Sequence, residues 1–251
     1  MAIIKSGNPT FKNVFEKVGP ATDTSQAMTV NGAIGKTGIL LALVAFGAII
    51  TWNMFSSLAY SGLVMSLFWV GLVGAFIMSL VIVFKKTTAP YLSPVYAVLE
   101  GFALGAISVI ANSYYPGIVL QAISLTFVVT TIMLLLYRFR IIRATKKFAA
   151  VIFVATASIA VFYLVSIVLS YFFNITSPAY AATPLGIGIS VFIVIIAALN
   201  LIMDFAFIEE GAEYQAPKFM EWYGAFGLMV TLVWLYIEIL RLLMKIAASS
   251  R

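Results

Sequence analysis

Long uninterrupted apolar stretches alternate with short polar ones along this chain, and the apolar stretches set its plan. Seven of them, at 37–55, 63–84, 92–111, 117–137, 148–173, 185–207 and 222–246, approach or exceed the roughly 20 residues that carry an α-helix across about 30 Å of hydrocarbon. Hydrocarbon offers backbone N–H and C=O groups no water, so only helices and closed barrels cross it, and these runs lack the two-residue alternation of barrel strands. The pattern predicts an all-α integral membrane protein, a seven-transmembrane-helix bundle. It divides the chain into an N-terminal tail, residues 1–35, and a transmembrane domain, residues 36–251.

The tail mixes polar residues with Pro9, Pro20 and several glycines, and Lys5, Lys12 and Lys17 are scattered through it. That reads as a loosely ordered segment. Phe11, Val14, Phe15 and Val18 nevertheless recur at helical spacing, which fits a short amphipathic helix lying on an anionic membrane surface; both readings stand.

Composition agrees with the pattern. Of 251 residues, 63% are hydrophobic and 10% charged, far from soluble usage. A net charge of +6 raises the question of nucleic acid, but the basic residues gather in alternate connections. Lys85 and Lys86 follow the second run, and Arg138, Arg140, Arg143, Lys146 and Lys147 follow the fourth, whereas the connections after the first, third and fifth have neither Lys nor Arg. The positive-inside rule produces this alternation and places the N-terminus in the cytoplasm, with no nucleic-acid partner required. One feature is discordant: seven crossings put the C-terminal end outside, yet it carries Arg241, Lys245 and Arg251.

The chain has no cysteine and no histidine, which removes disulfides, thiolate chemistry and imidazole bases. A metalloprotease or a serine intramembrane protease needs histidine, and no Gly-x-Gly-Asp run of an aspartyl intramembrane protease occurs. No enzyme and no resident cofactor are expected. Paired small residues, such as Gly71 with Gly74 and Gly101 with Gly105, favour close helix approach. Asn174-Ile175-Thr176 matches a glycosylation acceptor.

Three acids lie within or at the end of apolar runs, where a carboxylate is costly and points to function. Glu100 is about 12 Å into the third run at 1.5 Å per residue; it either pairs structurally, with Lys85, Lys86 or a neighbouring polar group, or handles protons or ions. Asp204 ends the sixth run on a face with Gly186, Ser190, Ala197 and Asn200, a small and polar stripe suited to an interior crevice. Glu238 shares a face of the seventh run with Thr231, Trp234, Arg241 and Lys245, and a local pair with Arg241 at i and i+3 would neutralise both. Were Asp204 and Glu238 neighbours, they would titrate as one unit and sense pH. As one straight span, the seventh run puts Glu238 roughly 24 Å from its start, far from the Asp204 end. The link between Asp204 and the last run, 208–221, also looks long.

The runs LIMDFAFIEEG and WLYIEILRLL, with LEGFALGAIS in the third span and seven helices in all, resemble the Bax inhibitor family, in particular its bacterial members. The resemblance covers roughly residues 36–246. It implies six helices around a central seventh, a bacterial inner-membrane location, and a pH-sensitive leak of calcium ions. It also implies a proton-sharing pair at Asp204 and Glu238, possible calcium contacts of both, and a basic latch at Lys85 or Lys86. Here glutamate stands for the second aspartate of that pair and lysine for the usual arginine. Among bacterial members a second role occurs, binding and regulating a membrane partner such as a quality-control protease. The partners expected are thus the bilayer, calcium ions, protons and, in that second reading, a membrane protease.

Overall fold

The protein is described by a computed structural model covering residues 9–21, 23, 26–55, 61–175 and 177–250, with backbone alone at 9–13, 61 and 62. Lys5, Thr176 and the side chains of Phe11 and Lys12 lie outside that description. Among the described residues there are eight α-helices and no strand. They are α1 (Pro9–Val18), α2 (Val30–Phe55), α3 (Ser61–Phe84), α4 (Ala89–Tyr114), α5 (Ile118–Arg138), α6 (Lys146–Phe173), α7 (Pro184–Glu213) and α8 (Phe219–Ser249), with 3₁₀ turns at Lys86–Thr88 and Pro178–Tyr180. Helices α2 to α8 are each long and apolar enough to cross a membrane, so every apolar run is one helix.

The chain forms two compact units, Met1–Tyr114 with Ala206–Val230, and Tyr115–Phe205 with Thr231–Arg251; α7 and α8 contribute to both. In the first unit α4 packs on α2 and on α3. The approach is close because glycines face backbone. A Cβ on Gly47 of α2 would lie 2.6 Å from the Val98 carbonyl oxygen and 3.1 Å from the Gly101 Cα, and one on Gly105 would lie 2.6 Å from the Ala48 oxygen. Neither α2 nor α4 can carry a larger residue there without moving apart.

The N-terminal segment belongs to this unit. Phe15 of α1 is buried, stacking on Phe207 at 5.0 Å and on Tyr214 at 5.8 Å between ring centroids. Its apolar side chain therefore covers protein and not lipid. Beyond α1, Met28 N–H donates to the Ala216 carbonyl (2.6 Å), Lys218 N–H to that of Gln26 (2.8 Å), and Ala21 N–H to that of Gln215 (2.9 Å). This cover explains why α7 outlasts its apolar run. Phe207, Ile208 and Gly211 are buried, so the helix continues through Glu209 and Glu210 to Glu213. The connection to α8 shrinks to 214–218, against the long link expected at 208–221.

In the second unit, Ile159 of α6 meets Ile193 and Ile196 of α7, with Tyr163, Ile189 and Trp234 packed around them. Across the molecule, 56% of the most apolar window of α4 and 44% of those of α7 and α8 is buried, against 17% for α3, α5 and α6. The three buried helices are the ones that carry Glu100, Asp204 and Glu238.

Gly101→Val drives a branched side chain into the α2 backbone, and overpacking of this kind costs about 1–3 kcal/mol or more. Thermal unfolding in detergent should fall clearly below wild type, whereas Gly38→Ala, with no atom near the added Cβ, should unfold like wild type.

Candidate functional site

Thr231, Trp234, Glu238, Arg241 and Lys245 follow one another on α8 at spacings of three and four, which puts them on one stripe of the helix. Within the second unit, each level of that stripe meets a different partner.

At the first level Asp204 of α7 is hydrogen-bonded to the Thr231 side chain. The residue keeps partial exposure, but its Oδ2 is sealed from solvent and has no hydrogen-bond partner among the described residues. Nearly all enclosed polar atoms in proteins have one. One turn earlier on α7, the Asn200 amide donates to the Thr156 hydroxyl of α6 (2.9 Å) and to the Ile196 carbonyl (2.8 Å). The small and polar stripe of α7 thus faces neighbouring helices through specific bonds.

At the second level Glu238 is buried and held from three sides. The Tyr163 hydroxyl of α6 donates to its Oε1 at 2.8 Å, the Trp234 indole N–H reaches the same atom at 3.3 Å, and Arg241 Nη1 lies 3.3 Å from it. Arg241 Nη1 also donates to the Tyr163 oxygen at 2.6 Å. The i and i+3 pair read from the sequence is present, and a tyrosine from another helix closes it into a triangle. At the third level buried Lys245 gives its ammonium to the Ala179 carbonyl, the Gly186 carbonyl (3.2 Å) and the Ser190 hydroxyl, tying the 3₁₀ turn before α7 to the end of α8.

Asp204 and Glu238 exchange no hydrogen bond. Thr231 and Glu238 are seven residues apart, about 10 Å along the helix, so the two carboxylates are bonded to α8 at separate levels.

In the first unit, Glu100 is half-buried and accepts a hydrogen bond from the Tyr96 hydroxyl one turn away, and Tyr96 packs edge-on against Phe226 at 5.0 Å. Lys86 lies 5.6 Å from the Tyr223 ring, and the Lys85 carbonyl accepts from the Thr88 hydroxyl at 2.7 Å. A buried ion pair of this unit involves a carboxylate that the sequence pattern left in a connection. Glu221, fully buried in the first turn of α8, pairs with Lys36 of α2 and with Lys218 (3.2 Å), and accepts from both the N–H and the hydroxyl of Thr29 (2.9 Å each). Thr29 in turn caps α2 by accepting from the Gly32 N–H at 3.0 Å. The only signal in the sequence was the Thr29-to-Gly32 capping position with Lys36 two turns on.

Among the described residues no three of His, Cys, Asp and Glu gather in a group able to hold a metal ion. What the stripe offers is a set of buried charges with one acidic oxygen left unbonded.

A family model described as Bax inhibitor 1 like matches residues 8–248. The chain belongs to that family. Neither the curated proteins nor the solved structures compared with it gave a match. The family match begins well before residue 36, so in this Bax inhibitor-like protein α1 and the segment leading to α2 lie inside the family's extent, in keeping with their packing on α7.

Tyr163→Phe removes one hydroxyl that serves both Glu238 and Arg241, and loss of hydrogen bonds to charged groups costs about 1.5–3 kcal/mol. Thermal unfolding should register that loss in wild type and almost none of it in a background already carrying Glu238→Gln and Arg241→Met, where the triangle is gone.

Proposed function

We propose that this Bax inhibitor-like membrane protein is a pH-sensitive cation leak, with calcium as a permeant ion, in which Asp204 is the proton-responsive group. One observation supports the reading above the others: a carboxylate oxygen enclosed within a membrane-length helix and left without a hydrogen-bond partner. A carboxylate in an apolar span is costly, and such groups mark ion and proton paths. Gaining a proton changes Asp204 from a pure acceptor to a group with a donor, and losing it reverses the change, so its bond to Thr231 and its contact with α8 are altered at the same time. If open and closed arrangements bind that proton unequally, pH shifts their populations.

Glu238 plays the second acidic part. Its charge is compensated by Arg241 in the present arrangement, and releasing that compensation frees a second oxygen pair for a cation. Calcium prefers six to eight oxygen ligands; two carboxylates at separate levels suit brief contact during passage and not a resident ion. Lys85 and Lys86 remain the candidates for a basic latch, at the N-terminal edge of α4.

Purified protein in liposomes should pass calcium at a rate that varies across neutral pH. Asp204→Asn should flatten that variation, and Glu238→Gln should change its midpoint or amplitude. A pH response identical to wild type in both variants overturns the mechanism. Absence of any flux, together with stable co-purification of a membrane protease, would replace the leak by the regulatory role.

A further inference from the structure

The outer portion of the second unit carries more positive charge than its carboxylates answer. Glu238 is paired with Arg241, while Lys245, one turn further on, gives its hydrogen bonds to neutral oxygens alone. The other acid of this unit, Asp204, is engaged at Thr231, about two turns before Glu238. The remaining basic residues of the unit before α6, Arg138 to Lys147, lie at the opposite end of that helix.

The two cations differ in what they have left to give. An ammonium has three donors, and Lys245 spends three on Ala179, Gly186 and Ser190. A guanidinium has five. Arg241 uses Nη1 for Glu238 and Tyr163, and its Nε and Nη2 make no hydrogen bond with any described residue. The side chain is 30% exposed, so those donors are accessible. Its guanidinium carbon lies 5.1 Å from the Tyr163 ring centroid and 6.0 Å from that of Tyr180.

Tyr180 is also a wall of an open pocket of about 480 Å³, lined besides by Ser166, Ile167, Ser170, Tyr171 and Asn174. Tyr163, Ser166 and Ser170 lie three and four residues apart on α6, so a line of hydroxyls runs from the guanidinium toward the end of the helix. That end, at Phe173, exposes Tyr171, Phe172 and Phe173, and tyrosine is one of the two side chains enriched where a membrane meets water. A pocket at this end of the helix, with hydroxyl and amide walls and, beyond its Tyr180 wall, a guanidinium that keeps donors free although Glu238 answers its charge, suits a phosphate diester with a polyol attached.

We propose that this pocket binds the headgroup of an anionic phospholipid, its phosphate meeting the free donors of Arg241 and its polar headgroup meeting Ser166, Ser170 and Asn174. The proposal stands independently of the leak reading.

The test is native mass spectrometry of the full-length protein titrated with short-chain phosphatidylglycerol, phosphatidylcholine or inorganic phosphate. Wild type should retain phosphatidylglycerol on the order of tenfold more strongly than phosphatidylcholine, because both present the phosphate but only glycerol brings hydroxyls to Ser166, Ser170 and Asn174, and choline adds a cation beside the local positive charge. Arg241→Gln should weaken retention of both lipids, since each presents its phosphate to that side chain. Because that change also uncovers Glu238, Ser170→Leu, at an exposed position that fills the pocket and leaves the ion pair alone, should weaken phosphatidylglycerol retention by a similar factor. Equal retention of the two lipids by wild type overturns the proposal. So does an unchanged preference in Ser170→Leu, and so does full displacement of the lipid by inorganic phosphate, which would make the site one for free anions.

Discussion

A helix inside hydrocarbon cannot leave its polar side chains to water, and α8 carries five of them on one stripe. The second unit is built around meeting that demand. Thr231 is used by Asp204, Trp234 and Tyr163 by Glu238, Glu238 by Arg241, and Lys245 by two carbonyls and a serine. The i and i+3 ion pair alone would leave Glu238 with unused lone pairs and Arg241 with only a distorted contact at 3.3 Å. Tyr163 improves both, donating to the acid and accepting from the base, and it makes the position of α6 part of the electrostatics of α8. Asp204 Oδ2, on the facing helix α7, is the exception among the groups that meet this stripe, and an exception among otherwise satisfied groups is where a proton-dependent change is best placed.

The first unit solves a different problem. Its helices α2, α3 and α4 gain close contact through glycines set against backbone, the packing mode that works where lipid removes the hydrophobic drive. Its polar work is concentrated on Glu221, which answers Lys36, Lys218 and the start of α2 together. Burying a carboxylate is tolerable only with such complete pairing, since removing one partner leaves an uncompensated charge. The N-terminal segment is held by the same group and by the main-chain bonds around Ala216. The beginning of the chain and the connection between α7 and α8 are therefore a single fixed structure.

The spans were legible because length and apolarity are properties of a single segment, and hydrocarbon thickness dictates both. The local pair Glu238 with Arg241 was legible for the same reason: three residues on a helix are always neighbours. What the sequence did not disclose depends on contacts between distant residues. Tyr163 is one of a dozen tyrosines in the chain, and nothing local singles it out. Glu221 sits just before an apolar run, where a loop charge is the ordinary reading, and its burial comes from Thr29 and Lys36, nearly two hundred positions away. The end of α7 looked like a loop because Glu209, Glu210 and Glu213 are polar; its other side is covered by Phe15 and Met28, which no local window includes. The relation of Asp204 to Glu238 came from family resemblance and not from spacing. The structure gives each acid its own bonds, Asp204 at Thr231 and Glu238 at Tyr163, Trp234 and Arg241.

The basic residues at the C-terminal end show how burial changes a topological count. Arg241, Lys245 and Arg251 on the far side of a seventh crossing oppose the alternation seen in every earlier connection. The rule that makes such charges informative concerns side chains standing in loops, where they face the membrane surface as free cations. Arg241 is bound to Glu238 and Tyr163, and Lys245 is buried among oxygens of the turn before α7. Neither stands in a loop. Both lie inside α8, a helix of 31 residues, which at 1.5 Å per residue is about 46 Å long and exceeds the hydrocarbon thickness without help from a partial crossing. With those two counted as interior groups, Arg251 is the one basic residue left in the tail, and the seventh crossing no longer conflicts with the alternation that the other connections display.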